Sequence, residues 1–163
     1  MRSPADLVDS FRQRGLRLTP QRQLLFRLLD GNDRHPTADQ LFAEADEVMP
    51  GISLRTVYQT LNDLVDLGEL RALDLGTGAA RFDPNLSDHH HVVCDRCGAV
   101  RDVRVDGSER LTPDPLEAFD VRAIQIVFRG VCAACTGPNL IPPTHKETTM
   151  PSLAGTKTHE NLK

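Results

Sequence analysis

The chain has four cysteines, and they fall in two pairs, Cys94-x-x-Cys97 and Cys132-x-x-Cys135. A Cys-x-x-Cys loop brings two thiolates onto one ion, and two such loops complete a closed tetrahedral zinc site of the structural type. The competing readings are disulfides and a thioredoxin-like redox pair. Nothing in the sequence suggests secretion, and the redox fold needs only one such motif. The segment 98–131 exceeds the usual ribbon spacing, so the second pair must return from a different element. Just upstream of Cys94 lies the run Asp88-His89-His90-His91. On a strand His89 and His91 share one face, while His90 turns to the other, in a structural or exposed role. Two histidines leave a metal site incomplete. His35, Asp83 and Asp102 are the candidates to complete it, and three imidazoles with two carboxylates suit Fe(II) or Mn(II) better than an all-thiolate site would. On the residues alone, Asp83 reads equally as a turn residue before Pro84, and His35-Pro36 as an ordinary loop. His145 and His159 have no partner at ligand spacing.

The elements that must position these groups are legible in the first half. Ser3-Pro4 and Thr19-Pro20 place a hydroxyl N-cap before a proline at the first helical position. Thr37-Ala38-Asp39-Gln40 is a capping box, and Ser53 caps a fourth helix after the Pro50-Gly51 break. Val57, Leu61, Leu64 and Val65 line one face of that helix, and Gly68 closes it. Two strand-like stretches follow, 69–75 and 79–83, with Gly76-Thr77-Gly78 as the turn between them. Helices followed by a small hairpin describe a winged helix-turn-helix. Beyond it, 91–94, 99–105 and 121–129 read as strands and 114–119 as a short helix. From Thr136 onward the chain is rich in Pro, Thr, Lys and Gly. The expected class is α+β: a winged helix-turn-helix domain (1–84), a second small α/β domain carrying the zinc site (85–136), and a disordered tail (137–163).

The chain is acidic overall, at net −4, which is not the bulk signature of a nucleic-acid binder. Its distribution differs: residues 1–27 hold six arginines against Asp6 and Asp9. A basic face on an acidic protein can still dock on phosphates, and Arg17 is a candidate for such a contact. On the fourth helix, Arg55, Tyr58, Gln59 and Asn62 lie opposite the apolar face. Arginine and glutamine can read base edges in a major groove, and tyrosine can pack on a thymine methyl. The only tyrosine of the chain sits on this polar face. The start of the chain has no signal-peptide core, and no run approaches the length of a membrane span, so a cytoplasmic protein without membrane partners is expected.

Four stretches together resemble the ferric uptake regulator (Fur) family: Arg17-Leu18-Thr19-Pro20-Gln21-Arg22, His35-Pro36-Thr37-Ala38-Asp39, Thr56-Val57-Tyr58, and the run from Asp88 through Cys94-Asp95-Arg96-Cys97-Gly98. The resemblance extends from about residue 5 to Cys135. It implies a homodimeric, metal-activated transcriptional repressor of a double-stranded DNA operator, with no small organic substrate and no enzymatic activity. The second domain would then be the dimerisation domain. The resemblance also implies a structural Zn(II) on the four cysteines and a regulatory Fe(II) or Mn(II) on His35, Asp83, His89, His91 and Asp102 at the hinge. Aspartate at both 83 and 102 is similar to the peroxide-sensing branch, in which Fe(II) reacts with hydrogen peroxide and a ligand histidine is oxidised. The alternative is an iron- or manganese-responsive repressor without peroxide sensing. From a different class, a zinc hydrolase would need an open zinc position and a general base. The chain departs from the family pattern at Ile124, where an auxiliary ligand histidine is common, and at Gln59, where the iron branch usually has arginine.

Overall fold

The computed structural model describes residues 1–111 and 120–137. Four helices come first: α1 (Pro4–Gln13), α2 (Pro20–Leu29), α3 (Ala38–Val48) and α4 (Leu54–Asp66). Each starts at its expected cap. The hydroxyls of Ser3, Thr19, Thr37 and Ser53 accept from a main-chain N–H three residues on, satisfying a donor that the first helical turn cannot. Thr37 and Gln40 complete the reciprocal box. Gly68, at φ +70°, ends α4 in the left-handed region that glycine adopts without strain.

The helices pack around one apolar core. Phe11, Phe26, Leu25, Leu41, Leu61 and Leu64 are completely buried, and Phe11 meets Phe26 edge-on at 4.8 Å. Arg22 is inside this core rather than on a basic surface. Its guanidinium stacks over the Phe11 ring at 5.4 Å and approaches Asp63 of α4 at 2.6 Å. Arg2 is likewise committed, to Glu69 at 2.5 Å. The N-terminal basic face is thereby reduced to exposed residues such as Arg14, Arg17 and Arg27.

The wing is β1 (Arg71–Leu73) paired antiparallel with β2 (Arg81–Asp83); β1 is shorter at both ends than the sequence pattern suggests, and β2 is shorter at its turn end. Glu69 is drawn to the N-terminus by Arg2 instead of extending β1. Leu75 leaves the hairpin to bury against Val93 and Val100 of the second sheet. That sheet has the order β4-β3-β5, from β3 (His90–Cys94), β4 (Val100–Val103) and β5 (Val127–Gly130). β3 pairs antiparallel with β4 and parallel with β5. Of the stretch expected as a strand over 121–129, only the end enters the ladder. Residues 121–125 are all exposed, and their weak alternation gives no face to bury. A one-turn helix, α5 (Ala133–Thr136), follows β5. The expected helix over 114–119 and the tail over 138–163 lie outside the described residues.

Two arginines bolt the wing to the second sheet. Arg81 of β2 donates to the Gly98 carbonyl at 2.6 Å and to the His35 carbonyl at 3.2 Å. Arg129 of β5 donates to the Leu75 carbonyl at 2.6 Å and to Asp95 at 3.0 Å. Gly76 lies at this contact with φ +67°, a left-handed backbone that glycine adopts without strain.

Candidate metal centres

The first cluster is the four cysteines. Cys94 ends β3, and Gly98 N–H donates back to the Cys94 carbonyl at 2.8 Å, turning the chain so that Cys97 faces Cys94. Cys132 caps α5 and Cys135 lies within its single turn, with Cys135 N–H bonded to the Cys132 carbonyl at 2.9 Å. All four sulfurs lie within 4.8 Å of one another and none is in a disulfide. Cys97 and Cys132 are 3.8 Å apart. Arms of about 2.3 Å in a tetrahedron give a sulfur–sulfur edge of about 3.8 Å, whereas a disulfide requires about 2.05 Å. The donor set therefore fits zinc. The ionisation of the thiols is uneven. The Cys94 thiol is pulled down to about 6, first by the Cys132 main-chain N–H and then by that of Cys97. The Cys135 thiol is pushed up to about 12 by hydrogen bonding with Cys97 and then Cys132. Four thiolates this close need a cation among them.

The second cluster spans both halves of the chain. His35 precedes α3, Asp83 ends β2, His89 and His91 flank and enter β3, and Asp102 lies on β4. The β3–β4 register sets Asp102 opposite His91, on one face. The Nε2 atoms of His89 and His91 are 3.0 Å apart. Asp83 Oδ2 lies 3.0 Å from His89 Nε2 and 3.7 Å from His91 Nε2. Asp102 Oδ1 lies 2.8 Å from His35 Nε2 and 3.5 Å from His89 Nε2. The donor atoms of His35, Asp83, His89 and His91 all lie within 4.8 Å of one another. Asp102 is the outermost of the five, with about a third of its side chain exposed.

Main-chain carbonyls fix two of the three imidazoles. His35 Nδ1 is 3.1 Å from the Asp33 carbonyl and His89 Nδ1 is 2.8 Å from that of Ser87. A carbonyl only accepts, so each Nδ1 is the donor there and each ring turns its Nε2 inward, the usual arrangement of a metal-ligating histidine. Among the described residues, His35 Nε2 and Asp83 Oδ2 are buried with no hydrogen-bond partner. The Asp102 oxygen, though near His35 Nε2, does not lie where a ring N–H would point. Nitrogen and oxygen donors that converge on one buried point, two of them with no hydrogen-bond partner, suit a cation. Burial above all, then His89 and His35, holds His91 below the ordinary imidazole range, against the pull of Asp83 and Asp102. That favours the neutral form a metal requires. The residues thus fit a divalent ion with three nitrogen and two oxygen donors.

His35 shows the cost of this convergence. Among the described residues it is the one non-glycine at positive φ, +50°, and it stands immediately before a proline. It is completely buried. His90, expected on the opposite face, is buried as well, and its Nδ1 accepts from Ile126 N–H at 3.4 Å. Sequence reasoning missed Asn85, which contacts both Asp83 and Asp102. Its signal was an Asn two residues before a Ser, the pattern of an Asx turn.

On α4 the residues singled out for DNA are all exposed: Arg55, Tyr58, Gln59 and Asn62. Val57, Leu61 and Leu64 are buried beneath them.

Residues 13–128 match the model of the Ferric uptake regulator family. The chain is 36% identical over 131 residues to the peroxide-responsive repressor PerR of Staphylococcus aureus (strain Mu50 / ATCC 700699), covering 78% of this chain and 88% of that one. Among solved structures, the Helicobacter pylori ferric uptake regulator Fur superposes with a TM-score of 0.69 at 17% identity, covering 83% of this chain and 93% of that one. That likeness is one of fold. A zinc uptake regulator complexed with zinc and DNA superposes with a TM-score of 0.57 at 29% identity, covering 82% of this chain and 92% of that one.

Proposed function

The chain belongs to the ferric uptake regulator family, and from that premise we propose that it is a metal-dependent, DNA-binding transcriptional repressor that senses hydrogen peroxide. The family consists of regulators, not enzymes. In this reading Cys94, Cys97, Cys132 and Cys135 hold a structural Zn(II), and His35, Asp83, His89, His91 and Asp102 hold a regulatory Fe(II) or Mn(II). The observation that carries it is the second cluster. It draws His35 and Asp83 from the helical half and His89, His91 and Asp102 from the second sheet, so an ion held there would fix the angle between the two. The working form is a homodimer. Two copies of α4 can meet successive major grooves only at a set separation, and one preexisting arrangement would be favoured by metal. Supporting dimerisation is edge strand β5, whose Val127 and Phe128, with Val131 beyond it, are exposed apolar residues. Supporting DNA binding are the exposed polar face of α4 and the 29% identity to a zinc uptake regulator complexed with DNA. Among the described residues, no helix is long and apolar enough to cross a membrane.

The peroxide reading rests on the peroxide-responsive relatives at 36% identity and on the two aspartates. Bound Fe(II) would supply the redox chemistry that makes peroxide an oxidant. The protein's part is to hold imidazole carbons beside that point: the His35 and His89 rings bring Nε2 within 3.5 Å of the same Asp102 oxygen. In net balance, H2O2 gives one oxygen atom to a ring carbon and its other oxygen leaves as water. The cysteines are spared because zinc occupies their thiolates.

The test is mass spectrometry of the iron-loaded protein after one equivalent of peroxide, with operator binding measured in parallel. The expected result is one added oxygen on a peptide carrying His35 or His89, with loss of DNA binding, and neither change in a manganese-loaded control. Unmodified histidines with retained DNA binding would instead establish an iron- or manganese-responsive repressor without peroxide sensing.

A further inference from the structure

Asn85 touches both carboxylates of the histidine cluster through different atoms. Its main-chain N–H donates to Asp83 Oδ1 at 2.7 Å, and its side-chain Nδ2 donates to Asp102 Oδ2 at 2.7 Å. The other oxygen of each carboxylate makes its nearest approach to an imidazole: Asp83 Oδ2 lies 3.0 Å from His89 Nε2, with Oδ1 farther off at 3.6 Å from His35 Nε2, and Asp102 Oδ1 lies 2.8 Å from His35 Nε2. Asn85 is itself held, since its Oδ1 accepts from Ser87 N–H at 3.2 Å and from Ser87 Oγ at 2.7 Å. Ser87 in turn supplies the carbonyl that orients His89. Asp83 and Asp102 come from different halves of the chain, and a single residue spans them.

We propose that Asn85 is a positioning residue that engages one oxygen of each carboxylate and ties Asp102 to the rest of the site. The inference rests on the reading that these five residues hold a divalent ion. A carboxylate oxygen engaged by a short hydrogen bond is the weaker donor of the pair, so the bond favours the other oxygen as the one offered to a metal. With both carboxylates so constrained, the cluster provides five donor atoms. Asp102 depends on the contact most, being the most exposed of the five.

Full-length, zinc-replete protein tests this with Co(II) and Mn(II) as probes. Asn85→Ala removes the Nδ2 donor and frees Asp102 to bind through both oxygens or to swing away. Asn85→Asp keeps an oxygen for Ser87 but sets a second carboxylate oxygen against Asp102. Ser87→Ala removes the hydroxyl donor alone. Zinc content and thermal melting monitor folding. The expected result is that both Asn85 variants change the visible d–d bands of bound Co(II), which report coordination number, and that Asn85→Ala weakens Mn(II) binding roughly 10–100-fold. Ser87→Ala, which loosens Asn85 but leaves its Nδ2 facing Asp102, should change bands and affinity less than either Asn85 variant. Parent-like bands in Asn85→Asp, or an equal change in Ser87→Ala, would mean that the turn matters and the bridge does not. Parent protein that takes up no Co(II) beyond its zinc would overturn the ion-binding reading itself, a result distinct from failure of the bridge.

Discussion

His35 combines a left-handed backbone, full burial and a following proline. Such a conformation costs on the order of 1–3 kcal/mol and persists only where the surroundings over-determine it. Here Arg81 grips its carbonyl, and Phe82 N–H donates to the Pro36 carbonyl at 3.0 Å. Asparagine tolerates the same backbone but cannot deliver Nε2. His35→Asn is therefore expected to abolish metal-dependent operator binding in a gel shift while leaving thermal melting nearly unchanged. His91→Ala should likewise lose operator binding and stay folded, with dimer content followed by gel filtration. Full binding by either variant would refute a hinge site on these residues. At Asp102, glutamate should preserve iron-dependent DNA binding but slow histidine oxidation. The longer arm would push its outer oxygen past the reach of Asn85 and change the coordination that peroxide meets.

At the scale of elements, α4 and the cysteine knuckles carry the clearest tests. Arg55 is on the exposed face of a helix whose other face is core. A base-edge contact there is worth roughly 1–3 kcal/mol of discrimination. Arg55→Ala should narrow the gap between operator and random DNA. Arg17→Ala should weaken both alike and flatten the salt dependence, the behaviour of a phosphate contact. Cys94→Ser should release the zinc and unfold the second sheet, because structural zinc contributes on the order of 10 kcal/mol to folding in small modules. Metal analysis and calorimetry would read both effects. The elements most legible in the sequence were those with local signals: four hydroxyl caps, the breaks at Gly51 and Gly68, and two cysteine loops. The five-residue cluster was legible in its members but not in its geometry, since Asp83 and His35 also read as ordinary turn and loop residues. Burial of Arg22 was hidden because its partner, Asp63, lies on another helix. The short β5 was hidden because alternation alone does not say which face is covered.

The described residues hold two apolar clusters, a helical one and a smaller one where the wing meets the second sheet. The joint there is a small apolar contact of Leu75 with Val93 and Val100, two arginine clamps, and the five-residue cluster. The cluster is the part of that joint that a cation would strengthen. Removing divalent ions with a chelator that spares the zinc should loosen the joint without unfolding the helices or the second sheet. Small-angle scattering should then show a broader range of dimensions, and added Mn(II) should restore the narrow one. A scattering profile indifferent to Mn(II) would mean that the hinge is already rigid.

The zinc knuckle also has a consequence for biosynthesis. Cys94 and Cys97 leave the ribosome well before Cys132 and Cys135, and β5, the parallel partner of β3, is made just ahead of the second pair. At about 5–20 residues per second, the first two thiols wait about 2–8 s for the others. The helical unit, whose core closes by Phe82, can fold during that interval and present the wing as a template. A nascent chain stalled between the two pairs would hold a finished helical core and a half-built cysteine site, open to stray soft cations or oxidants. Cellular zinc supply during those seconds would then govern how much of the newly made protein matures.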